Sequence, residues 1–149
     1  MASIRKSLVV TAEPETVWAA IRDVGAIHER LARGFVTATE LEEDTRQVTF
    51  ANGMTVRERI VTIDDDRRRL VYAVVGGGRT THHNASFEVI DDGGARTRIV
   101  WTTDLLPDAA APAVNVMMDG GLDAIRQTLE ATTTEPRVIG IRSGRVVVD

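Results

Sequence analysis

At 149 residues the chain is one domain's worth of sequence, long enough to bury a real core. Its formal net charge of −4 weighs against nucleic acid or an anionic membrane surface as a partner, and the absence of cysteine excludes disulfides, thiolate catalysis and cysteine zinc sites. Hydrophobic residues at 43% and charged residues at 27% are those of a soluble globular protein.

The first segment, Ser3 to Thr11, is β-branched and reads as a strand. Its apolar stretch from Leu8 to Val10 is too short for a signal peptide, and no run approaches the roughly 20 apolar residues of a membrane helix. No membrane insertion and a cytoplasmic location are therefore expected. Thr11 or Glu13 can cap a helix whose first turn takes Pro14 and Glu15. Val17, Trp18, Ile21 and Val24 recur at helical spacing, and Gly25 stops the helix. A second short helix is expected over Ile27 to Ala32.

From Phe35 to Asp104 the period changes to that of strands: Phe35–Leu41, Gln47–Phe50, Met54–Asp64, Leu70–Val75, Thr81–Ile90 and Thr97–Asp104. The separators are turn chemistry, such as Asn52-Gly53, Gly76-Gly77-Gly78 and Asp91-Asp92-Gly93-Gly94. Loops this short join antiparallel neighbours. A long helix follows, with Pro112 in its first turn, a run to about Thr132, and an apolar stripe of Val114, Met118, Leu122, Ile125 and Leu129.

The order predicts an α+β helix-grip architecture: a curved seven-stranded antiparallel sheet around a long C-terminal helix, with two short helices after the first strand. Residues 1–132 form the domain, with an apolar ligand cavity between sheet and helix. In the tail, 133–149, Arg137 to Arg142 and Arg145 to Val148 flank Ser143-Gly144 as a small hairpin. That tail can offer an edge strand to a partner, so a homodimer is one expectation.

The segment SLVVTAEPETVWAAIRDV resembles the opening of START-like (SRPBCC) proteins, and RERIVTIDDDRRRLVYAVVGG resembles the middle strands of their polyketide cyclase/dehydrase branch. The second segment is also similar to the plant abscisic-acid receptors, and the resemblance covers Ser3 to Ala131. It implies that Glu58 points into the cavity and contacts ligand through water. It implies further lining by Tyr72 and Val74, by Ala85 and Phe87 on the next strand, and by Ala113, Met117 and Gly121 on the long helix. The receptors' ligand-pairing lysine has no counterpart: the matching region is near Phe35, and no lysine follows Lys6. A hormone-receptor role is therefore not carried over.

The residues themselves offer acid–base chemistry. Glu58 shares a strand face with Val56 and Ile60, so its carboxylate is either a general acid or base with a raised pKa or one half of a structural ion pair. Alternation puts His83, rather than His82, on the face of Ala85 and Phe87. Glu58, His83 and Tyr72 are the catalytic candidates, against the simpler view that the histidines border a loop and do nothing. His28 is most simply an exposed loop residue. Met54 and Met117 are soft side chains suited to a deformable pocket. Trp18 and Trp101 read as core or cavity wall. Gly120-Gly121 in mid-helix implies close approach by a strand or a ligand.

No metal or cofactor is expected. His82 and His83 face opposite sides with no third ligand, and Gly76-Gly77-Gly78 lacks the lysine and helix of a phosphate loop. Three functions compete: binding of an apolar lipid, aromatic polyketide-like molecule or isoprenoid; cyclase/dehydratase-type enzymology in the same cavity; and a protein-interaction module whose cavity is filled by its own side chains. An enzyme needs at least two of the polar candidates within reach of one point.

Overall fold

The structure, a computed structural model, describes residues 2–134, 138–142 and 145–148, with side chains described up to residue 131. Its elements are β1 (Ala2–Val10), α1 (Pro14–Arg22), a single π-type turn (Ile27–Leu31), β2 (Val36–Glu42), β3 (Thr45–Phe50), β4 (Thr55–Asp64), β5 (Arg69–Gly77), β6 (His82–Gly93), β7 (Arg96–Leu106) and, after a short 3-10 turn, α2 (Ala111–Thr134). The seven strands form one antiparallel sheet in the order β1-β7-β6-β5-β4-β3-β2. This is the expected α+β helix-grip architecture. Two further strands, β8 (Val138–Arg142) and β9 (Arg145–Val148), pair antiparallel as a separate sheet. Arg137, Ser143 and Gly144 of the expected hairpin lie outside the described residues.

Helix α1 starts where Pro14 can sit without a backbone donor. Glu13 is its N-cap in extended conformation and makes no side-chain cap hydrogen bond; the Val17 amide bonds the Glu13 carbonyl at 3.0 Å. The Thr11 amide donates instead to Glu130 of α2 at 3.0 Å. The second short helix is one wide turn, closed by the Ala32 amide donating to Ile27 O at 2.8 Å. The β4–β5 turn, Asp64 to Arg69, has a structural task as well: Asp65 accepts from Trp18 Nε1 at 2.9 Å and from Arg22 Nε at 2.7 Å. That tie holds α1 against the sheet. The Arg22 guanidinium and the indole keep the Asp65 carboxyl below its ordinary range.

Strand β5 continues into the glycines, with Gly76 and Gly77 paired to Arg57 and Val56. A side chain at Gly77 is excluded twice. Its φ is +74°, and a Cβ there would lie 2.5 Å from the Thr55 carbonyl oxygen.

Register places the inner-face residues of the sheet in cross-strand rows. One row runs Glu58–Val74, and one step further along β5 and β6 it reaches His83, then Leu105 and Ala2. The next runs Ile60, Tyr72, Ala85, Thr103 and Ile4. The third runs Leu70, Phe87, Trp101 and Lys6. Helix α2 covers this face with Val114, Met118, Leu122, Ile125 and Leu129, all buried, and Asp119 pairs with Lys6 at 2.7 Å.

Candidate functional site

The inner face of the sheet carries a stack of rings. Tyr72 and Phe87 lie 6.3 Å apart at 26°, and Phe87 and Trp101 lie 4.8 Å apart at 20°, all three buried. Phe87 and Trp101 are directly opposite one another and Tyr72 is diagonal to Phe87 on the next strand, so the three rings share a face and stack. Trp101 Nε1 donates to Tyr72 Oη at 3.2 Å.

Opposite the stack, α2 presents Gly120-Gly121. A Cβ at Gly121 would sit 3.0 Å from Trp101 Cζ3, and one at Gly120 would sit 3.1 Å from Phe35 Cε1. The expected close approach is thus made by the rings of Trp101 and Phe35. Phe35 lies in the notch half-buried, and its other edge meets Phe50 at 5.5 Å and 77°. Two grooves, about 280 and 180 Å³, lie on the opposite, outer side of the sheet; their linings include Ser86 and Thr102 in the first and Gln47 and Arg57 in the second.

Two of the polar groups on this face are the sequence-predicted Glu58 and His83. Glu58 is buried and accepts from Arg46 Nε at 2.8 Å; Arg46 is buried too, donates to the Val24 carbonyl at 3.2 Å and lies 5.0 Å above the Tyr72 ring. The sequence left two readings of Glu58 open, and Arg46 supplies the ion-pair partner. Burial holds the Tyr72 phenol well above its ordinary range, with the Glu58 charge adding to the effect. On the other side His83 is buried while His82 is exposed. Burial lowers the His83 pKa, and His82 pushes in the same direction. In their common row Glu58 and His83 stand two strand spacings apart, about 10 Å between backbones.

The structure therefore brings Val56, Glu58, Tyr72, Val74, His83, Ala85, Phe87 and Trp101 of the inner face together with Phe35 and with Met117 and Gly121 of α2. It does not bring Ala113 or Met54 there. Ala113 is exposed because eight residues separate it from Gly121, which turns it about 80° around the helix. Met54 stands at the β3–β4 turn, 41% exposed. His28 is half-buried, with its Nδ1 3.1 Å from Thr39 Oγ1. Arg46 and Thr103 are inner-face polar residues that the sequence reading passed over. The signal was parity: Arg46 shares a strand face with Val48, and Thr103 with Trp101.

Comparison with known proteins agrees with this frame. A family model described as "Polyketide cyclase / dehydrase and lipid transport" matches residues 1–130. Among solved structures, the XoxI protein of Bacillus cereus superposes with a TM-score of 0.80 at 19% identity, covering 91% of this chain and 100% of that one. The Zhui aromatase/cyclase from Streptomyces sp. R1128 gives 0.76 at 17% identity over 90% and 96%. Norcoclaurine synthase from Thalictrum flavum, in complex with dopamine and hydroxybenzaldehyde, gives 0.70 at 20% identity over 91% and 88%. No curated protein sequence matches the chain. Among the described residues, no helix is long and apolar enough to cross a membrane.

Proposed function

The chain belongs to the polyketide cyclase / dehydrase and lipid transport family, and from that premise we propose that it binds a flat, apolar small molecule between the aromatic stack and α2. The observation that carries this reading is Phe35. It is a ring half-buried in a notch made by two glycines and floored by Trp101. The protein's own side chain thus displays the shape and polarity that the notch accepts. A ligand ring entering there exchanges one aromatic contact for another, and Phe35 need only turn outward. The charges nearby are already matched, Arg46 by Glu58 and Lys6 by Asp119, so an uncharged ligand suits the site best. With net charge −4, nucleic acid has no place in this reading.

Calorimetric titration with 2-ethylnaphthalene tests the proposal. Saturable one-to-one binding that weakens when Gly121→Leu fills the notch supports it. An absence of heat from the wild-type protein refutes it.

A second reading, cyclase/dehydratase-type chemistry, draws on His83 and Tyr72. A buried neutral imidazole keeps a lone pair for abstracting an α-proton, and a phenol held protonated can donate to the resulting oxygen. Deuterium uptake into the methyl group of 2-acetylnaphthalene in D2O, abolished in His83→Gln, supports this reading; no uptake above the solvent rate refutes it.

A further inference from the structure

Among the described residues, buried threonines are otherwise satisfied. Thr97 donates to the Ala12 carbonyl at 2.7 Å, and Thr128 donates to the Ala124 carbonyl at 2.7 Å. Thr103 is the exception. It is fully buried, and its Oγ1 has no hydrogen-bond partner among the described residues. Such a group is costly in an apolar interior and calls for a reason. Its surroundings supply one. Thr103 lies on the inner face directly opposite Ala85, and Ala85 in turn lies opposite Tyr72. The Tyr72 hydroxyl accepts from Trp101 Nε1, and among the described residues its own proton has no acceptor. Trp101 and Thr103 are successive inward positions on β7, about 7 Å apart. Two hydroxyl groups with unspent protons therefore border a floor where Ala85 contributes only a methyl group, between the larger pairs Phe87–Trp101 and His83–Leu105.

We propose that this floor is an oxygen subsite, in which the hydroxyls of Thr103 and Tyr72 donate to a carbonyl oxygen of an otherwise apolar ligand. The inference rests on the apolar-ligand reading above and adds the ligand's functional group to it. A carbonyl fits better than the alternatives. A carboxylate needs a cation, and the two inner-face cations, Arg46 and Lys6, are each paired at 2.7–2.8 Å. A buried ammonium group needs an anionic partner, and the inner-face carboxylate of Glu58 is already paired with Arg46.

The test compares 2-acetylnaphthalene with 2-ethylnaphthalene, molecules of like shape that differ in one carbonyl, on wild type, Thr103→Val and Thr103→Ser. Valine keeps the shape and removes the hydroxyl; serine keeps the hydroxyl. The ratio of ketone to hydrocarbon affinity falls roughly 3- to 10-fold in Thr103→Val, the worth of one neutral hydrogen bond, and is retained in Thr103→Ser. A ratio unchanged by Thr103→Val, with both probes binding, overturns the oxygen subsite and leaves the apolar-ligand reading standing. Failure of both probes to bind the wild-type protein overturns the two together.

Discussion

Arg46 and Glu58 face one another across β3 and β4 and close a 2.8 Å ion pair on the concave side of the sheet, with side chains only 4% and 9% exposed. Arg46 also bonds the Val24 carbonyl just beyond α1. One side chain thus fixes the carboxylate and ties the α1 end to the sheet. The pair leaves no net charge on this face, which is the electrostatic condition for an uncharged ligand.

Removing one partner strands a buried charge. Arg46→Met is expected to cost about 3–5 kcal/mol, while Arg46→Met combined with Glu58→Leu recovers much of that loss. Urea denaturation of the two single variants and the double variant measures the coupling.

Phe35→Ala separates the role of Phe35 as a plug from its role as packing. It loses about 2 kcal/mol of stability, less than a fully buried phenylalanine would, yet binds 2-ethylnaphthalene more tightly because the notch is vacated. Thermal melts and calorimetry on the same preparation give both quantities.

Gly77→Ala is expected to destabilise by more than about 1 kcal/mol, since the residue combines positive φ with a 2.5 Å approach to Thr55 O. Gly53→Ala, with φ +88° and open space around it, pays the conformational cost alone and loses less. A shift of the urea midpoint at constant m-value is the readout.

His83 sets a pH dependence whose sign follows from its burial. Its folded pKa lies below the ordinary value of 6.5, so the unfolded chain binds the proton more readily. Its contribution is complete above pH 6.5 and is lost as pH falls through the lowered folded value. His83→Gln flattens the stability profile in that window, and NMR titration of the imidazole places its folded pKa below the ordinary 6.5.

The alternation of strands and the stripe on α2 were legible because burial on one face imposes periods of 2 and 3.6 on the sequence. Strand ends ran longer than expected, to Gly77, Gly93 and Leu106, because turn residues still take part in ladder pairing there. Glu58, Tyr72 and His83 were recognisable as inward polar residues. Arg46 was not, because an arginine beside Thr45 reads as the solvated end of a strand; only its parity with Val48 betrays it. Ala113 was placed on the site by the family resemblance, and the 80° of rotation over the eight residues to Gly121 takes it off. The identity of the group filling the glycine notch depends on the loop that carries Phe35 back over α2, a long-range contact that no local pattern encodes.

The most direct test of the account is to locate bound 2-ethylnaphthalene by intermolecular NOEs. Contacts are expected from the ligand's aromatic protons to the Trp101 indole, the Phe35 ring and the methyl group of buried Met118. Contacts confined to outer-face residues such as Val100 and Thr102, or none at all, would contradict it.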